Sequence, residues 1–263
     1  MTLVAAFVQR DFGITRSYRF AVMLELALGL MNLLVYFFIS RTFKDVPASD
    51  LAGAPSYFAF AAVGIAMTTV IDAASAGIAV SIREEQLTGT LEAVVTQPVS
   101  PLGLAVGMSG LPFVGATVRA AIYLFLATVL LDLDIASADW GGAAAVLGMS
   151  ALALSSLGIA SGAMVLLFKR ADVIAGFGAF AMGLLSGSVF PISVLPDWLR
   201  PIGEAMPTRF AFDGLRAALF TGKGWGDDVL ALSLFAAVLV PAALWAFAAA
   251  LKAAKRAGSI AEY

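Results

Sequence analysis

Six apolar stretches dominate the chain, at about 20–40, 56–81, 102–131, 143–168, 173–190 and 228–251. Each approaches or exceeds the roughly 20 residues a helix needs to cross the hydrocarbon core of a bilayer, where every backbone N–H and C=O must be bonded within the segment. A water-soluble globule could not cover them. Hydrophobic residues fill 61% of the 263 positions and charged ones 13%, too few to coat a soluble surface. The expectation is an all-α polytopic membrane protein, six transmembrane helices in a single domain spanning residues 1–263.

The same composition removes whole classes of chemistry. Cysteine and histidine are absent, so there are no disulfides, thiol nucleophiles, imidazole bases or Cys/His zinc sites, and no metal is expected. A formal net charge of −2 argues against nucleic acid as a partner. The N-terminal "MTLVAAFVQRDFGITRSYRF" lacks the basic, apolar and small-residue succession of a cleaved signal. Within it Val4, Phe7, Val8 and Phe12 follow helical spacing, which predicts an amphipathic helix over 1–19 lying in the membrane interface. A frayed extension of the first span is the alternative.

Basic residues set the orientation. With the N-terminus inside, the inner segments hold Arg10, Arg16, Arg19, Arg83, Lys169, Arg170, Lys252, Lys255 and Arg256. The outer ones, Arg41, Lys44, Arg200, Arg209, Arg216 and Lys223, fall mostly in one long loop, where the bias counts for less, and the acidic Asp132, Asp134 and Asp139 connection also lies outside. Both termini are therefore expected in the cytoplasm.

Between the second and third spans, "SIREEQLTGTLEAVVTQPVSP" concentrates polar residues. On a helical wheel Leu87, Leu91, Val94 and Val95 gather on one side, and Glu85, Thr88, Gly89, Glu92 and Thr96 on the other. Pro98 stops the helix, and Ser100-Pro101 reads as the cap and first turn of the next span. The prediction is an amphipathic helix over 84–97, about 20 Å long. Gly89 on the polar face weakens a helix by about 1 kcal/mol relative to alanine, which suggests that something approaches the backbone there. Spacing alone leaves two readings, a helix seated in a partner's groove or a solvated interfacial helix.

The string Glu85-Gln86-Leu87-Thr88-Gly89-Thr90-Leu91-Glu92, with Thr96 and Pro98, resembles the cytoplasmic signature of type-2 ATP-binding-cassette permeases. A second string, "SGSVFPISVLPDWLRPIGEAMPTRFAFDGLR" at 186–216, is similar to the family's extracellular segment. Gln97 departs from the pattern, where a small or polar residue such as Thr is more usual. The resemblance implies that 84–97 is the coupling helix, docking Glu85, Thr88, Gly89, Thr90, Glu92 and Thr96 on an ABC ATPase. It implies a permease half paired with a second permease, identical (a homodimer) or homologous, and a multi-pass protein of the plasma membrane of a prokaryote is expected. Two ATPase subunits would bind ATP and Mg and drive outward movement of an amphipathic, lipid-like, glycan or drug cargo. In keeping with this, no G-x-x-x-x-G-K-[ST] phosphate loop occurs, so the chain is not expected to be an enzyme and holds no cofactor itself.

Prolines 191, 196, 201 and 207 would break any helix after the fifth span, yet the segment is too apolar for an open loop. Short re-entrant extracellular helices over 191–227 meet both conditions, with Phe190, Pro191, Leu195, Pro196 and Trp198 as a candidate exit gate; a structural cap is the alternative. Glu25, Asp72 and Arg119 fall inside spans one to three, where an ionisable group costs about 2.5–3.5 kcal/mol. An Asp72–Arg119 pair is one expectation, with Glu25 snorkelling or reaching Arg19 or Arg83. A competing reading uses the three charges as the relay of an ion-coupled secondary transporter. A membrane enzyme is a third: "FDGLRAALF" resembles the start of a phosphatidyltransferase signature, but Arg216 comes one residue early and the later aspartates are missing.

Overall fold

The computed structural model describes residues 19–42, 51–90, 101–168 and 171–257. These form α1 (Arg19–Thr42), α2 (Tyr57–Thr88), α3 (Pro101–Leu131), α4 (Trp140–Leu167), α5 (Ala171–Leu185), α6 (Arg200–Ala205), α7 (Pro207–Arg216) and α8 (Trp225–Ala257). A 3-10 turn at Ile192–Val194 precedes α6, and a π-helical turn at Ala217–Thr221 follows α7. No strand occurs among the described residues. The interfacial helix expected over 1–19 lies outside them, apart from Arg19, which opens α1.

Helix starts follow local chemistry. Ser56 caps α2, its Oγ accepting from the Ala59 N–H at 3.1 Å. Asp139 caps α4, its Oδ1 accepting from the Gly142 N–H at 3.0 Å. Pro101 opens α3, where its missing N–H costs nothing.

Helix α2 sits at the centre, packed along α3 and α4 and touched by α1 and α5, while α4 also packs along α8. Three apolar clusters stack along it. Ile78, Ile82, Met108, Ile159 and Phe247 meet towards its Gly89 end. Met67, Ile71, Val146, Leu154 and Phe212 fill the middle. Leu33, Phe58, Phe60, Tyr123 and Leu131 join α1 and α3 to its Tyr57 end. Between α2 and α4 the approach is so close that a Cβ on Gly158 would collide with the Ala74 carbonyl; only glycine fits there.

Five helices are long and apolar enough to span a bilayer: Val22–Thr42, Tyr57–Thr88, Pro112–Leu131, Trp140–Leu167 and Trp225–Ala254. Their outward faces carry bare apolar side chains, among them Met23, Leu28 and Phe38 on α1 and Leu234, Val238 and Trp245 on α8. In water such faces would drive aggregation; in hydrocarbon they are at rest. The chain is a multi-pass membrane protein. The fifth expected span is shorter than its sequence suggested. Helix α5 holds 15 residues, about 22 Å against a core of about 30 Å. It ends because Ser186 and Gly187 turn the chain, Gly187 at φ 86° and Ser186 Oγ hydrogen-bonded to the Thr208 hydroxyl.

Candidate functional site

Residues 84–88 do not begin a separate helix, as their wheel pattern suggested. They are the last turns of α2, which runs on to Thr88 because Ile82, Glu85 and Gln86 face the bundle and are buried. The helix then closes in a Schellman motif. The Thr90 N–H bonds to the Glu85 carbonyl at 3.0 Å, and the Gly89 N–H to the Gln86 carbonyl at 3.2 Å. Gly89 takes φ 72°, a conformation costing other residues about 1–2 kcal/mol. Its surroundings are open, with no atom within 4 Å of a built Cβ. The glycine is thus explained by the turn, and the expectation that it admits a close neighbour is not needed to account for it.

Side chains tie the turn down. The Thr90 hydroxyl donates to the Glu85 carboxylate, and Thr88 Oγ1 donates to the Glu84 carbonyl at 2.9 Å while lying 2.8 Å from Thr90 Oγ1. Glu85, expected on the free polar face, is instead turned inward, whereas Leu87, expected on the apolar face, is exposed. Thr88, Gly89 and Thr90 remain exposed at the tip. Glu92 and Thr96 lie outside the described residues.

At the other end of α2, the chain from Gly187 to Thr221 is broken into short helices, as the prolines required. Of the candidate gate residues, Pro191 and Leu195 are buried, Phe190 is half-buried, and Pro196 and Trp198 are exposed, Trp198 to 73%. Arg216 organises this end. Its guanidinium is fully buried, 3.5 Å from the centroid of the Phe60 ring. Nε and Nη2 donate to the Phe60 carbonyl at 3.3 and 3.1 Å, and Nη2 also donates to the carbonyls of Gly187 and Ser188 at 2.8 and 2.9 Å. Asp213 lies 3.6 Å away, one turn earlier on α7. Burial pushes the Arg216 pKa down to about 10, with Asp213 opposing, so it stays charged at neutral pH. Burial likewise raises the pKa of Asp213, against Arg216 and Arg209.

A central helix closed by an E-x-x-x-G turn at one end and clamped by the arginine of D-G-L-R at the other matches the two strings that carried the resemblance. The family model of the ABC-2 type transporter matches residues 2–220. The chain belongs to the ABC-2 type transporter family. No curated protein matches it. An ABC-2 membrane domain works in general with an ABC ATPase, and the match takes in α1 to α7.

Within this ABC-2 bundle the membrane-depth charges pair differently from the sequence expectation. Arg119 Nη1 meets Glu25 Oε2 at 3.5 Å, and the Tyr123 hydroxyl donates to the Glu25 carbonyl at 3.1 Å, pinning α1 to α3. Asp72, expected opposite Arg119, lies on an exposed face of α2 and forms no ion pair among the described residues. The reason is azimuth. Arg119 projects towards Glu25 on α1, and Asp72 lies exposed on α2. Sequence reasoning missed Arg216 as a buried anchor and counted it with the outer-loop cations. The available signal was its i,i+3 spacing from Asp213 inside an apolar segment.

Proposed function

We propose that this ABC-2 chain is the permease half of an ATP-driven exporter, two copies pairing as a homodimer and each seated on one of two ABC ATPase subunits. ATP and Mg belong to the ATPases; this chain does no chemistry and moves an amphipathic, lipid-like, glycan or drug cargo outward. The termini and the Gly89 turn face the cytoplasm of a prokaryotic cell, and the broken segment from Gly187 to Thr221 faces outside. Helix α5 makes the sixth crossing, and that segment caps it outside as the exit gate.

The observation that carries this reading is the exposed Thr88–Gly89–Thr90 tip at the end of α2. It lies in the string that resembles the family's docking signature, and it belongs to the helix that packs on most of the bundle. A push at this tip is a push on the core. The ion-coupled reading loses its relay, because Arg119 is engaged by Glu25 and Asp72 joins neither.

The test is co-purification with a candidate ATPase and transport in proteoliposomes, for the parent chain and for Thr88→Trp and Glu92→Arg. Both variants are expected to insert normally and to lose ATPase association or cargo-stimulated ATP turnover. Unchanged association in both, or cargo movement that continues without ATP under a proton gradient, would overturn the assignment.

A further inference from the structure

Beside the Arg216 clamp lies a cavity of about 470 Å³, lined by Phe60, Arg200, Glu204, Arg209, Asp213 and Arg216 among others. Three cations and two carboxylates in so small a space must be accounted for one at a time. Arg216 spends its donors on backbone carbonyls and the Phe60 ring. Arg209 Nε reaches Asp213 at 3.3 Å and its Nη1 the Glu204 carbonyl at 3.3 Å, which leaves Nη2. Arg200 Nη2 donates to the Ser193 carbonyl at 3.0 Å and lies 3.5 Å from Asp197, itself almost wholly exposed. Arg200 Nε is shut off from solvent with no acceptor. The Glu204 carboxylate has no partner among the described residues. Unspent donors and an unspent acceptor thus line one chamber.

Arg200 Nε, closed to solvent, meets no occupant, so the donors open to the chamber are Arg200 Nη1 and Arg209 Nη2. One anion would satisfy the arginines and leave Glu204 idle; one cation would do the reverse. The flanking surface narrows the choice. Val194, Ile202 and, in the turn between them, Trp198 are exposed and apolar, as suits a headgroup-level surface where tryptophan prefers to sit. An occupant with a charged head and an oily tail fits both.

We propose that this cavity binds a zwitterionic phosphate–ammonium headgroup of a membrane amphiphile, with the phosphate oxygens on Arg200 and Arg209 and the ammonium at Glu204. Arginine suits phosphate because its planar fork presents paired N–H groups to adjacent oxygens. Occupation engages Arg200 Nη1 and Arg209 Nη2, for which no hydrogen bond is seen among the described residues, and neutralises Glu204 in the same event. The site is independent of which way cargo moves.

The test is isothermal titration of the purified full-length chain in a phosphate-free maltoside detergent, without ATPase or nucleotide, so that its outcome does not depend on the transport reading. Dihexanoyl phosphatidylethanolamine is expected to bind saturably. Dihexanoylglycerol, and phosphatidylethanolamine offered to Arg200→Gln or Glu204→Gln, are expected to bind about tenfold more weakly or worse, the loss of a charge-assisted contact. Glu204 is exposed, so its variant retains the fold even if Arg200→Gln does not, and thermal unfolding of each variant checks this. Free phosphoethanolamine distinguishes the sources: equal affinity means that the soluble headgroup suffices, and weaker binding means that a lipid is the ligand. Both outcomes support the site. Diglyceride binding as tight as phospholipid, or two folded variants that bind like the parent, overturns it.

Discussion

Arg216→Met is the substitution from which the fold itself predicts most. The thioether matches the arginine stem in length and keeps the apolar packing, so the loss isolates the guanidinium. Three carbonyls are deprived of donors, those of Phe60, Gly187 and Ser188. The Phe60 carbonyl retains its place in the α2 ladder, so two acceptors carry most of the penalty, at about 1–3 kcal/mol each. Asp213 is not orphaned, because Arg209 stays 3.3 Å away, which keeps the total below that of a fully broken buried ion pair. The expected destabilisation is therefore about 3–4 kcal/mol, a large share of the roughly 5–15 kcal/mol that holds a protein folded. Arg216→Lys should recover only part of it, since one ammonium cannot span three carbonyls and stack on the Phe60 ring. Denaturant unfolding in detergent, followed by tryptophan fluorescence, measures all three proteins. A loss below about 1 kcal/mol for Arg216→Met would refute the clamp, since that is the worth of a single ordinary hydrogen bond.

Four further outcomes are expected. Gly89→Ala should destabilise by about 1–2 kcal/mol, the cost of φ 72° for a residue with a Cβ, while Gly89→Asn should lose much less, because nothing crowds the position; equal losses in thermal melts would show that space, not conformation, is the constraint. Glu25→Arg and Arg119→Glu should each impair expression of folded protein, and the double exchange should restore most of it, since either single change leaves two like charges at membrane depth. The Asp139 carboxyl is held below its ordinary 3.8, first by the Gly142 N–H and further by Trp225 Nε1, against burial. Its folded pKa is thus below its unfolded one, so the stability it lends is complete above about pH 4 and fades as pH falls through the lower folded value; Asp139→Asn should flatten that part of a melting-temperature profile. Val80→Pro, at an exposed site about two turns before the Thr88 end of α2, should cost about 3 kcal/mol and abolish ATP-driven transport while ATPase association persists.

What could be read from the sequence was whatever depends on a short window. Apolar runs located α1 to α4 and α8 to within a few residues, except where α2 outlasted its apolar run, and the prolines broke the segment after α5 where expected. The misplaced feature was the start of a new helix at 84. Hydrophobicity falls there, but α2 continues, because a helix ends where its backbone turns and not where its side chains become polar; Gly89 supplies that turn. The charges show the other limit. Depth along a helix follows from residue number, so Glu25, Asp72 and Arg119 were all placed correctly within spans. Azimuth depends on how helices roll against each other, and that decided for Glu25 over Asp72 as the partner of Arg119. Arg216 was harder still. Its acceptors lie 28, 29 and 156 residues away, and no local pattern announces a contact assembled from three segments.

The clamp and the turn are two ends of one rod. From Tyr57 to Thr88 α2 is uninterrupted, 32 residues and about 48 Å. Phe60, three residues from its start, gives both its carbonyl and its ring to Arg216, and through Arg216 is joined to Gly187 and Ser188. The opposite end is the Glu85–Thr90 cap. A separate helix over 84–97 would have moved on a flexible joint and passed on little of any displacement. A helix continuous through the bundle has no such joint, because sliding or tilting it breaks no backbone bond whereas bending it does. Motion imposed at Thr88–Thr90 must therefore reappear at the broken helices around Gly187, or be absorbed by unseating Arg216. The second route costs several kcal/mol by the reasoning above, so the first prevails whenever the load is smaller than that. If α2 is the lever proposed above, the buried arginine does more than hold the fold together: it links the Phe60 end of α2 to the broken segment at Gly187 and Ser188.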